Sequence, residues 1–252
     1  MWNKIENLGL GLSFYNIVLM DLDELVKELK NGTNFDEEYR EYIILKIVTL
    51  IEYTLKKLII FLVDERNVDV SDLFVGNLES PKDDIEKKDI PSKGELVIMN
   101  FNFQNIKVIR YVFNKLLRIN FIDSLKEFLS KPDETGANYL LGITTLRDSN
   151  SLLSNWSVFE DMFELRRKIA HSISQDIALT NEYGFSKIVP IETSDEWVPD
   201  GYEYYQKMIE CTEVFLFMCM FVPILVIDIQ QNKSANSQVA IFFKQKMKDY
   251  AL

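Results

Sequence analysis

The residues with the clearest chemical potential lie in one run, Glu164-Leu165-Arg166-Arg167-Lys168-Ile169-Ala170-His171-Ser172. His171 is the chain's single histidine, and histidine alone has an ordinary side-chain pKa near neutrality. Three consecutive cations occur nowhere else in the sequence. An imidazole close to guanidinium groups suits scission of a phosphodiester without a metal. A base must activate the 2′-hydroxyl or a donor must stabilise the leaving oxygen, and His171 could do either. The planar fork of Arg166 suits phosphate oxygens and the charge that develops on them. Arg167 and Lys168 could steer the same polyanion. On a straight helix Arg166 and His171 differ by about 140° in direction and roughly 7.5 Å along the axis. They converge only if the arginine reaches along the groove, the helix distorts, or a second subunit completes the site. A two-fold dimer would bring two such pairs to one cleft. Structural roles remain open beside this one. A lone histidine near a helix end caps carbonyls or packs. Arg166 could pair with Glu160 or Glu203, and Arg167 with Lys168 could be a solvated face.

Other chemistry finds little support. No P-loop, glycine-rich dinucleotide turn, H-E-x-x-H or C-x-x-C is present. Cys211 and Cys219 lie eight apart in an apolar run with no base nearby in sequence, which predicts reduced core thiols. No metal ligand set and no cofactor is expected. Trp2, Trp156 and Trp197 are scattered singly and read as packing residues rather than base-stacking ones.

The elements that must position the run read as helices. A first helix from about Leu12 to Lys30 has Phe14, Val18, Leu22, Leu25 and Leu29 on one stripe and Asp21, Asp23, Glu24, Lys27 and Glu28 facing water, with Gly32 as its stop. Asn34 with Glu37 opens a second, to about Val63, with Ile44, Ile47, Ile51, Leu55, Leu58 and Leu62 inward. Residues from Glu65 to Lys93 hold Pro81, Pro91 and a charge run, and read as a solvated loop. Gln104 to Leu129 is helical, broken near Asn120, and Pro132 to Gly136 is a further loop. Ser157 with Glu160 makes a capping box, opening a helix or falling inside one that starts near Ser151. Phe159, Met162, Phe163, Arg166, Ile169 and Ile173 lie along one side of it. Asp200 with Glu203 starts a last long helix to about Ile229, and Gln238 to Tyr250 forms a short amphipathic one. The expected fold is all-α: one antiparallel helical bundle over 1–252, with an insertion of loop and extra helices at about 65–150.

Composition agrees. Of 252 residues 47% are hydrophobic, with only 9 Gly and 6 Pro, which excludes disordered and collagen-like classes and argues against a turn-rich β fold. The net charge of −11 repels nucleic acid at long range, so an RNA role needs a local basic site or a basic partner. The N-terminus lacks a signal-peptide pattern, and the longest uncharged run, Val214 to Ile227, is short of a membrane span. A cytoplasmic chain with no membrane contact is the expectation.

The run resembles the R-x-x-x-x-H motif of HEPN domains (higher eukaryotes and prokaryotes nucleotide-binding). The flanks are similar too. Phe159, Phe163 and Leu165 lead into Arg166, and Ile169-Ala170 precedes His171, much as in the common RN-x-I-A-H form. The resemblance covers about 20 residues, and Arg167 stands where the family usually has Asn, Asp or His. Ile173 stands where nucleotidyltransferase-paired members can carry a modified tyrosine, so that mode of regulation is not implied. The resemblance implies a helical bundle, commonly a homodimer, and a metal-independent endoribonuclease. Such enzymes cut single-stranded RNA and serve prokaryotic antiviral defence or toxin–antitoxin systems, with an antitoxin or defence-complex protein as partner. Arg166 and His171 would be the catalytic pair. The competing expectation is a non-catalytic module that uses the same bundle to dimerise or to dock on an effector.

Overall fold

A computed structural model describes residues 12–31, 37–74, 92–138, 149–183, 201–231 and 237–251, and every regular element among them is helical. In chain order these are α1 (Leu12–Asn31), α2 (Glu37–Ile60), α3 (Lys93–Asn100), α4 (Ile106–Leu117) and α5 (Phe121–Ser130). Then come α6 (Pro132–Thr135), α7 (Ser149–Ser154), α8 (Trp156–Tyr183), α9 (Tyr202–Gln230) and α10 (Gln238–Tyr250). A π-helical turn, Phe61–Glu65, extends α2, and a 3₁₀ turn spans Ser71–Leu73. The all-α expectation holds.

The architecture follows from α9. Its residues Met208, Val214, Phe215, Leu216, Met218, Val222, Val226 and Ile227 are buried on every side of the helix. A helix apolar all round has to be covered all round. Accordingly α1, α2, α4, α7, α8 and α10 all pack against it. The uncharged run Val214 to Ile227 is only part of this helix, which continues through Glu213 and Asp228. By length and composition α9 is therefore able to cross a membrane, contrary to the reading from the run alone. Of its most apolar stretch, 61% is buried against the other helices. Pro223 sits inside α9 and is buried. It has no N–H to give the carbonyl one turn earlier.

Helix directions can be read from neighbours. Glu28 of α1 acts on Tyr39, while Glu28 and Glu24 both act on Lys46. Stepping forward along α2 thus means stepping back along α1, so the pair is antiparallel. At one end of α2, Arg40 and Glu41 lie near Tyr205 of α9. At the other, Arg66 pairs with Asp228 at 3.3 Å. Thus α2 and α9 run parallel. The inward positions expected for α2, from Ile44 to Leu62, are all buried.

The middle of the chain is more ordered in places than its composition predicts. Ser92 accepts a hydrogen bond from the Glu95 N–H and caps α3, which begins at the end of the stretch read as a loop, inside the expected insertion. Gly94 lets α3 approach the end of α2. A Cβ there would sit 2.7 Å from the Ile60 Cα and from Asp64 Oδ2, while the Gly94 N–H donates to Asp64 Oδ1 at 3.0 Å. The expected break in the 104–129 helix is real. Arg118 takes a left-handed conformation at φ 52°, and Asn114 Oδ1 receives the Phe121 N–H at 2.7 Å. Pro132 to Thr135, read as loop, is a short helix, ended by Gly136 at φ 80°. Proline at the first helical position has no orphan N–H to satisfy, which is why this short turn is stable. α10 has the bounds expected for it, and its Phe243 packs on Phe128 of α5 with centroids 5.2 Å apart. The expected stop at Gly32, Asn34 as opening cap, the charge run after Pro81 and the loop containing Pro190 lie outside the described residues.

Candidate functional site

α8 carries the whole motif. It is held from its first turn by aromatic packing. Trp156 and Phe159 have centroids 5.2 Å apart, Phe159 meets Phe163 edge-on at 5.5 Å, and Phe159 lies 4.6 Å from Phe215 of α9. Met162, Leu165 and Ile169 are buried as well. Ser157 does not open this helix. It is exposed within the first turn, and α7 and α8 are separated at Asn155, whose carbonyl accepts the Phe159 N–H at 3.1 Å and the Cys211 thiol at 3.8 Å. Trp156 is buried with the Lys126 ammonium 4.2 Å above its ring, a packing role rather than an open stacking surface.

The three cations separate in role. Arg166 falls on the apolar stripe of α8 between Phe163 and Ile169, and is half-buried. Among the described residues no carboxylate lies within ion-pair distance of it, including Glu160 and Glu203. Arg167 is exposed and bound to Glu164 through two hydrogen bonds, the Nε–Oε2 one at 3.1 Å. These bonds, then the Arg167, Lys168 and Lys107 charges, hold the Glu164 carboxyl below its ordinary range. Lys168 is exposed on the side opposite the stripe. The backbone of position 171 belongs to α8, and its side chain lies outside the described residues. Counting about 100° per residue, position 171 shares its helix face with 164 and 167, not with Arg166.

Residues from other elements join this surface that the sequence did not single out. Gln104, just before α4, donates through Nε2 to the Glu52 carboxylate of α2. Asn105 caps α4 by accepting the Lys107 N–H at 2.8 Å. Lys107 is exposed on the first turn of α4 and close enough to act on Glu164. With more than fifty residues between Glu52 and Gln104, and between Lys107 and Glu164, no local pattern could have joined either pair.

Elsewhere, an open depression of about 660 Å³ is lined by Asn155, Val158, Tyr202, Glu203, Tyr204 and Lys207. Cys211 and Cys219 are buried thiols outside any disulfide, as expected. Burial pushes the Cys211 thiol up to about 12 and Cys219 well above its ordinary value, so neither is a nucleophile near neutrality. Among the described residues no group of three or more His, Cys, Asp or Glu could hold a metal ion. Compared with known proteins, the chain matches no family model, no curated protein and no solved structure.

Proposed function

We propose that this chain is a metal-independent endoribonuclease of the HEPN type, acting on single-stranded RNA in a prokaryotic antiviral defence or toxin–antitoxin system. The observation that carries the reading is the state of Arg166. It is a half-buried guanidinium on an apolar stripe, five residues before the only histidine on one unbroken helix, and no described carboxylate neutralises it. A cation in such a place is costly unless an anion meets it. The scissile phosphate would be that anion. His171 then moves the proton, taking it from the 2′-hydroxyl or giving it to the leaving 5′-oxygen. The 2′-oxygen bonds to phosphorus as the 5′-oxygen departs, leaving a 2′,3′-cyclic phosphate. Since Arg166 and position 171 point about 140° apart, a homodimer that sets two such pairs in one cleft fits the geometry better than a single chain does. A cytoplasmic location and an antitoxin or defence-complex partner belong to the same proposal.

The net charge of −11 and the engagement of Arg167 by Glu164 favour a second reading, a non-catalytic module that docks on a basic effector. Incubation with single-stranded RNA in EDTA separates the two. The native chain should release fragments ending in cyclic phosphate. Arg166→Ala and His171→Ala should each cleave about 100-fold or more slowly. Equal rates for all three proteins, or none above buffer, would leave only the docking module.

A further inference from the structure

The Arg167 guanidinium is occupied by an anion of its own helix. Glu164 accepts two hydrogen bonds from it, one of them Nε to Oε2 at 3.1 Å. Both side chains are more than half exposed. Exposed ion pairs contribute little to stability, so this one persists only while no better anion reaches the arginine. Two further cations act on the same carboxylate. Lys168 lies one helical turn on from Glu164, and Lys107 comes from the first turn of α4, more than fifty residues away in the chain. Both are exposed. The capped N-terminus of α4 adds its positive end beside Lys107. Three cations thus gather about one carboxylate in a chain of net charge −11. On α8, Arg167 precedes position 171 by about one turn, roughly 6 Å along the axis, on the face the two share with Glu164. An anion taking the place of Glu164 would lie next to the histidine position.

We propose that Glu164 stands in for a phosphate: Arg167, Lys168 and Lys107 form a second phosphate site, and an RNA strand enters it by displacing the Glu164 carboxylate from Arg167. That the anion is an RNA phosphate rests on the ribonuclease reading. The exchange itself rests on the exposure of the pair and the surplus of cations around it. A phosphate offers the guanidinium fork the same paired oxygens as a carboxylate does. A strand also brings several phosphates at once, so that Lys168 and Lys107 are engaged together with Arg167, whereas Glu164 carries a single charge. The two arginines then divide the work. Arg166 takes the scissile phosphate and Arg167 the phosphate beside it. The hold of Glu164 on Arg167 is then a step in strand entry, not a permanent closure.

The test uses the full chain with His171→Ala, so that RNA stays intact. Its binding to a fluorescein-labelled oligouridylate about a dozen nucleotides long is followed by anisotropy. Adding Glu164→Gln should tighten binding about fivefold, because the pair no longer has to be broken. Adding Arg167→Ala should weaken it by about as much. Asp161→Asn removes the same charge from an exposed position one turn earlier on α8, and should change binding by about twofold at most. All three side chains are exposed, so circular dichroism and urea midpoints should be unchanged. No binding by the parent or by Glu164→Gln overturns the proposal. So does equal binding before and after Glu164→Gln or Arg167→Ala, or equal tightening by Asp161→Asn and Glu164→Gln, which would be a general charge effect. The two proposals fail separately. A native chain that cuts RNA in EDTA, with binding unmoved by Glu164→Gln, keeps the ribonuclease reading and loses the displaced carboxylate. A native chain that leaves RNA uncut, with binding tightened by Glu164→Gln and not by Asp161→Asn, loses the ribonuclease reading and keeps the phosphate site.

Discussion

At the scale of single residues, burial decides which polar groups are chemically available. Arg166 and Arg167 are adjacent in sequence, yet one sits half-buried on the apolar stripe and the other lies on the surface holding Glu164. An exposed pair of that kind contributes little to stability. Its consequence is to leave Arg166, like the exposed Lys168, without a described carboxylate at ion-pair distance. The thiols show the same control. Cys211 stays protonated in the fold up to about 12 because burial penalises the thiolate, whereas in the unfolded chain it ionises near its ordinary value. The raised folded value means the unfolded state loses its proton first. The stability this supplies is complete below the unfolded pKa and drains away as pH rises toward 12. Urea midpoints measured in steps from neutral to strongly alkaline pH should fall, and the fall should be shallower for Cys211→Ala. Parallel curves would mean that the buried thiol is not a linked group. Tyr204, pushed up to about 12 by burial and then by Asp161, adds in the same direction.

At the scale of elements, close approach and capping set where helices begin and meet. Gly94 is a residue that a sequence pattern reads only as a breaker, but its backbone fills the space beside Ile60 and donates to Asp64. A methyl group there meets α2 backbone, which cannot swing aside. Gly94→Ala should therefore destabilise the chain by about 1–3 kcal/mol despite the better helix propensity of alanine. The urea midpoint is the readout, and a neutral or stabilising result would show that α3 is free to shift away from α2. The stripe on α8 was legible because Phe159, Phe163 and Ile169 recur at helical spacing, and all three are buried. The start of α8 was not. Ser157 with Glu160 fits a capping box, but the Asn155 carbonyl takes the Phe159 N–H and Trp156 packs on Phe159, which sets the boundary two residues earlier. Local capping energies near 1 kcal/mol lose to buried aromatic area.

At the scale of the whole molecule, charge is unevenly arranged. The chain carries −11 overall, while Lys107, Arg167 and Lys168 gather around the Glu164 carboxylate. Binding of single-stranded RNA should then be steeply salt-dependent. Phosphate contacts at Lys107, Arg166, Arg167 and Lys168 predict a slope of log K against log salt of about −2.8. Lys107→Glu should flatten it by about one phosphate's share or more. A slope near zero would mean that the bound strand, if any, is held away from these cations. The same scale explains α9. A 29-residue helix apolar on every side is stable only inside a shell, and six other helices supply it.

The sequence by itself determined the helical class, the buried stripes of α2 and α8, the break between α4 and α5, the span of α10 and the inertness of both cysteines. Each depends on patterns within one or two dozen residues, where periodicity and burial carry the signal. Tertiary structure alone decided that α3 lies on α2 through Gly94, that Gln104 reaches Glu52, and that Lys107 stands near Glu164. It also decided that Arg167, not Arg166, takes the nearby carboxylate. Those contacts join residues far apart in the chain or choose among neighbours by angle, and both are set only once α9 has gathered the other helices around it.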